Sequence, residues 1–161
     1  MGTIDNPHEP DFLVTMKYDQ SAFREKLVSI HGRQWHKAWL RLSRKASALK
    51  QALRKRSEMH QVLFEIELED IKKMFYDAYG ESCKYCDRIL NVSTMVCDHI
   101  VPLSKDGEST PKNLQIICKQ CNTRKGPLKE KDFCLILAWV KEQTKEVQSY
   151  VLKKLAKGGK Y

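Results

Sequence analysis

The sequence predicts an α+β fold: a small zinc-stapled, turn-rich core between Cys83 and Gly126, flanked by long N-terminal and C-terminal helices. Three observations predict it. Two Cys-x-x-Cys pairs, Cys83/Cys86 and Cys118/Cys121, bracket the middle of the chain. The stretch between them is rich in turn residues and holds two short strand candidates. On either side, apolar residues recur at helical spacing. With 42% apolar and 30% charged residues, a wholly disordered chain is excluded. The longest apolar run, 133–140, falls far short of the roughly 20 residues of a membrane span. Residues 1–10 are acidic and lack the basic start and apolar stretch of a secretory signal, so the expected setting is cytoplasmic.

Residues 1–16 read as an irregular tail with two prolines. Residues 17–57 read as a basic helical region. From about Asp19 the pattern is helical, with Phe23, Leu27 and Ile30 on one face. Gly32 is the expected break, because glycine costs about 1 kcal/mol inside a helix. Trp35, Trp39, Leu42, Ala46, Leu49 and Leu53 then form a heptad-like seam of under three heptads. Either the rest of the chain or a second copy can cover it, so a homodimer through Trp35–Leu53 is one expectation. Beside the seam run Arg33, Lys37, Arg41, Arg44 and Lys45. This region holds twelve Lys and Arg against two Asp and Glu, and the whole chain carries +9. Such an excess points to a polyanion, and nucleic acid is the commonest one.

Residues 58–128 read as the central domain with a leading helix. Val62 to Ile66 alternates weakly, as a short strand does. Leu68 to Tyr79 reads as a helix with Ile71, Phe75 and Ala78 inward. Glu69 and Asp70 suit its N-terminal end, and Gly80 stops it. Met95 to Val101 is a strand, Lys105-Asp106-Gly107 a turn, Leu114 to Ile117 a second strand and Gln120 to Lys125 a short helix closed by Pro127. Residues 129–161 return to helix from about Asp132, through Phe133, Ile136, Leu137, Val140, Val147, Val151 and Leu155, and end at Gly158-Gly159.

The cysteines and their neighbours carry the chemistry. In a cytoplasmic protein, paired Cys-x-x-Cys units favour metal over disulfides, and two of them supply the four sulfurs of a closed tetrahedral zinc site. A unit of some 45 residues has little core of its own, so a structural zinc would add folding energy. Cys97 and Cys134 lie outside both pairs and read as buried small apolar residues. Between and beside the pairs lie Asp98, His99, Asn113 and Asn122. An imidazole can take a proton near neutral pH. The oxygens of Asp98 and Asn122 suit a hard cation. On a strand, Asp98 and His99 point to opposite faces, and the twist of a strand end would let them flank one phosphate.

The linked motifs Cys83-Lys-Tyr-Cys86, Cys97-Asp-His-Ile-Val-Pro-Leu-Ser104, Asp106-Gly107, Lys112-Asn-Leu-Gln-Ile-Ile-Cys118 and Cys121-Asn-Thr-Arg-Lys-Gly126 resemble the HNH endonuclease family. That resemblance covers about 45 residues. It implies a ββα-metal core and a metal-dependent phosphodiester hydrolase that nicks or cleaves DNA, in a bacterial or phage-infected cell. It makes His99 the general base and Asp98 a ligand of one catalytic Mg2+ or Mn2+. Asn113 becomes the residue that ties the loop between the strands, and Asn122 the last metal ligand, an H-N-N version of the motif. Cys83, Cys86, Cys118 and Cys121 match the structural zinc positions. Double-stranded or branched DNA is the expected partner, held by Arg33, Lys37, Arg41, Arg44, Lys45, Arg124 and Lys125. The other expectation is a zinc-stabilised DNA-binding module with an idle nuclease site.

Overall fold

The computed structural model describes residues 21–157. The predicted tail 1–16, the helix start before Ser21 and the Gly158-Gly159 stop lie outside the described residues. The chain divides into two compact units between Trp39 and Leu40.

The first unit holds α1 (Ser21–His31), a 3-10 turn over Gly32–Gln34 and the start of α2 (Trp35–His60). Gly32 sits at φ +53 with open space around its α-carbon. The break therefore comes from a backbone conformation that a side chain disfavours, not from crowding. The Phe23 and Trp39 rings meet at 5.6 Å, Trp39 and Trp35 meet edge-on at 6.5 Å, and the Arg24 guanidinium lies 5.1 Å above Trp35. Phe23 and Leu27 are buried as expected, but Ile30 is exposed. It stands in the last turn of α1, where the chain leaves the helix at Gly32.

The second unit begins within α2. Leu42, Ala46 and Leu53 are buried and Leu49 half-buried. Most of the apolar seam is covered within a single copy, and nothing in the structure supports the homodimer it allowed. Residues 62–66 make one parallel bridge, Phe64 to Ser109, rather than a strand. Glu65 N donates to Ser109 O at 3.0 Å and Ser109 N to Leu63 O at 2.9 Å. Helix α3 (Leu68–Ala78) starts on a capping box, with Asp70 Oδ2 accepting from Glu67 N at 2.9 Å. It stops before Gly80, at φ +79. Ile71, Phe75 and Tyr76 are its buried side chains.

Two strands and a helix form the centre. Strand β1 (Met95–His99) pairs antiparallel with β2 (Leu114–Cys118), with Asp98 opposite Gln115 and His99 opposite Leu114. β1 is two residues shorter than expected, because Asn113 draws the backbone of Ile100 and Val101 into the connecting loop. That loop turns at Asp106, in the left-handed region at φ 60. A Cβ on Gly107 would meet Val101 O at 1.8 Å, so only glycine lets the loop close. Helix α4 (Lys119–Lys125) packs on both strands. The C-terminal region is two helices, α5 (Glu130–Lys141) and α6 (Lys145–Ala156), not one. Thr144 caps α6 by accepting from Val147 N at 3.4 Å, a local bond that ends one helix and begins the next. Among the described residues, no helix is long and apolar enough to cross a membrane.

Candidate active site

The cysteine cage is built from two tight turns. In the first, Cys83 N donates to Arg88 O at 2.8 Å and Cys86 N to Cys83 O at 3.1 Å. In the second, Cys118 ends β2 and caps α4, its Sγ accepting from Cys121 N at 3.4 Å. Cys83 Sγ accepts from Cys118 N at 3.3 Å, which ties the two turns together. All six cysteines are free thiols, and the four ligand sulfurs lie within 4.8 Å of one another. Cys86 and Cys118 are 3.7 Å apart. Four zinc–sulfur bonds of about 2.3 Å in a tetrahedron set sulfurs about 3.7 Å apart, so the donor set fits zinc. Backbone N–H groups aimed at sulfur favour the thiolate form that such an ion requires. Cys97 is half-buried and Cys134 exposed. Both stay outside the cage, but neither is the fully buried side chain their sequence context suggested.

Asp98 and His99, neighbours at the end of β1, leave the strand on opposite faces. The Asp98 carboxylate is 3.0 Å from Lys125 Nζ at Oδ2, which also accepts from Gln115 Nε2 at 3.0 Å. Its Oδ1 lies 3.3 Å from the same ammonium. Lys125 is 1% exposed and also donates to His99 O at 2.7 Å, so α4 is latched to β1 by a buried cation. Burial pushes the Asp98 carboxyl above its usual range, against the pull of Gln115 and Lys125. Gln115 in turn donates to Tyr85 Oη at 2.9 Å, and Tyr85 donates to Glu130 Oε1 at 2.9 Å. A chain of hydrogen bonds thus runs from the first cysteine turn to the carboxylate.

The His99 ring is buried on the other face. Its Nε2 lies 2.9 Å from Ser109 Oγ, which accepts from Ser57 Oγ of α2 at 2.7 Å. Burial, with the positive charges of Arg56, Lys125 and His60, holds its pKa down to about 4. The imidazole is therefore neutral at pH 7, the form that can accept a proton. Asn113 occupies the loop as a clamp: Oδ1 accepts from Val101 N at 2.9 Å, and Nδ2 donates to Val101 O at 3.0 Å and Glu108 O at 2.8 Å. Asn122 is half-buried on α4. Cys118 caps that helix, so the Asn122 amide is not consumed as a cap.

The basic residues divide. Arg33, Lys37, Arg41 and Arg44 are exposed. Lys45 turns inward, its Nζ donating to Val92 O at 2.7 Å and Met95 O at 2.6 Å. Lys125 is spent on Asp98, and Arg124 is half-buried with Nε enclosed. Four residues around the site escaped the sequence reading: Ser57, Gln115, Ser109 and Tyr85. Ser57 stands four residues past Leu53, a hydroxyl where the seam calls for hydrocarbon. Gln115 faces Asp98 once two antiparallel strands are paired. Ser109 and Tyr85 carried no signal of spacing.

No curated protein matches the chain. A family comparison does find a match: residues 83–128 fit the HNH endonuclease family, and the span includes the whole cage, both strands and α4. The stretch that brings four cysteines together as a possible zinc site and closes two strands on a helix is thus the one that matches the HNH endonuclease family.

Proposed function

We propose that the protein is a metal-dependent DNA endonuclease that hydrolyses phosphodiester bonds, with His99 as general base. One observation carries the reading: a buried, neutral imidazole ends the strand that also carries a buried carboxylate, inside a span that matches a nuclease family. His99 would take the proton from a water, whose oxygen attacks phosphorus. The bond to the 3′-oxygen breaks and that oxygen takes a proton from solvent, leaving 3′-hydroxyl and 5′-phosphate ends. A divalent ion, Mg2+ or Mn2+, would be held by oxygens of Asp98 and Asn122. It would supply charge neutralisation at the leaving oxygen. The all-oxygen donor set suits such an ion, and Asp98 Oδ1, engaged only at 3.3 Å, keeps lone pairs for it. Lys125 holds the carboxylate against β1 and keeps α4, with Asn122, on the sheet. Asn113 would keep the loop shaped so that His99 stays aimed. Exposed Arg33, Lys37, Arg41 and Arg44 would hold duplex or branched DNA by its phosphates.

A second reading, a zinc-stabilised DNA-binding module with an idle site, draws on the Lys125 ammonium, which already neutralises Asp98. Plasmid nicking with Mg2+ or Mn2+ separates the two. Cleavage by the wild type and its loss in His99→Ala, with unchanged melting temperature, supports the enzyme. Inert wild-type protein that still binds DNA supports the module.

A further inference from the structure

We infer that Ser109 and Ser57 are positioning residues for the His99 imidazole, holding it as the Nε2–H tautomer with Nδ1 left to act on water. The inference rests on the nuclease reading above and adds one residue outside the family match, Ser57 of α2. Three side chains form an enclosed line: Ser57 is 1% exposed, Ser109 0% and His99 7%. The Ser57 hydroxyl donates to Ser109 Oγ at 2.7 Å. An oxygen has two lone pairs, so Ser109 Oγ can also accept from Nε2–H, 2.9 Å away. Which ring nitrogen carries the proton is set by the bond the other atom of the ring makes. With Nε2 enclosed against Ser109, the nitrogen left to take a proton from water is Nδ1, and a neutral ring whose Nδ1 is bare carries its proton on Nε2.

The backbone makes this partner rigid. Ser109 N donates to Leu63 O and Ser109 O accepts from Glu65 N, so the 63–65 segment grips the residue from both sides. One side-chain end of the line is fixed in α2 and the other in β1. The ring is then denied the flip that would exchange Nδ1 for Nε2. When water gives its proton to Nδ1, the imidazolium forms with Nε2–H already bonded to Ser109. No further reorganisation of the site is required.

The full-length chain, labelled with 15N-histidine, gives the direct test. The chain has five histidines, and the His99→Ala spectrum identifies the His99 signals. The wild type should show the Nε2–H form, and Ser109→Ala should lose it to a mixture of tautomers. In plasmid nicking, Ser109→Ala should lower kcat about 10- to 100-fold, the range for removing a group that orients an active histidine, with KM for DNA unchanged. Ser57→Ala favours helix and only removes a hydroxyl, so it should keep the fold and still lower kcat several-fold. An Nδ1–H wild type, or a Ser109→Ala protein with wild-type tautomer and kcat, overturns the inference. Failure of the nuclease reading shows differently: the wild type would be inert while the His99 tautomer still answered to Ser109.

Discussion

Lys125 is an ammonium almost without water, and its worth lies in the charge it meets. Removing one member of a buried ion pair strands the other, at a cost of about 3 to 5 kcal/mol. Gln115 still serves Asp98 Oδ2 when Lys125 is gone, so Lys125→Ala should cost about 3 kcal/mol in denaturant unfolding. A variant as stable as wild type would mean that Asp98 is not ionised in the fold. Asn113 makes three side-chain hydrogen bonds to the loop backbone. At about 1 kcal/mol each, partly replaced by water, Asn113→Ala should lose about 2 kcal/mol. It should also lower cleavage while DNA affinity holds, measured by titration beside nicking rate. The four cysteines were legible because two paired spacings constrain them together, and the same order singled out Asp98, His99 and Asn113 for the proposed site. Lys125 was misplaced among phosphate contacts, although it stands one helical turn after buried Cys121 and so shares its inward face.

At the scale of elements, α4 and the first cysteine turn meet at the cage, with Lys125 latching α4 to β1 and Tyr85 packed on Phe133. The sheet has two strands, and such a pair is marginal alone. Cys118 is its keystone: it ends β2, caps α4 and offers sulfur to the cage. Cys118→Ser should therefore melt the 83–126 region, whereas His99→Ala leaves it folded. Hydrogen exchange of the β1–β2 amides reads the difference, and equal protection in Cys118→Ser and wild type would remove the zinc assignment. Both strands, α3 and α4 were readable from alternation, caps and turn residues. The split between α5 and α6 was not, because apolar spacing runs through 133–155 and masks the cap at Thr144. The 62–66 segment looked like a strand by alternation, yet it finds one bridging residue, since nothing in a sequence reports how many partners a strand will meet.

For the whole molecule, charge decides where the proposed DNA substrate would bind. The family match holds seven Lys and Arg against four Asp and Glu, while residues 17–57 hold twelve against two. Each phosphate contact contributes about 0.9 to the slope of log affinity against log salt. Changing Arg33, Lys37, Arg41 and Arg44 together to neutral residues should flatten that slope by about 3 to 4 and weaken binding to all sequences alike. An unchanged slope would place the contact elsewhere. The basic excess was plain in the composition, but the inward turn of Lys45 onto Val92 and Met95 was not. Long side chains reach past the face their spacing assigns them.

Three of the four cage sulfurs are buried, whereas Asn122 is only half covered. With the proposed ion on Asp98 and Asn122 and zinc in the cage, chelator should strip the two on separate clocks, the oxygen-bound ion within the mixing time and the sulfur-bound one far more slowly. A reaction quenched with EDTA and promptly given excess Mg2+ should resume at full speed, and the same sample left overnight should not.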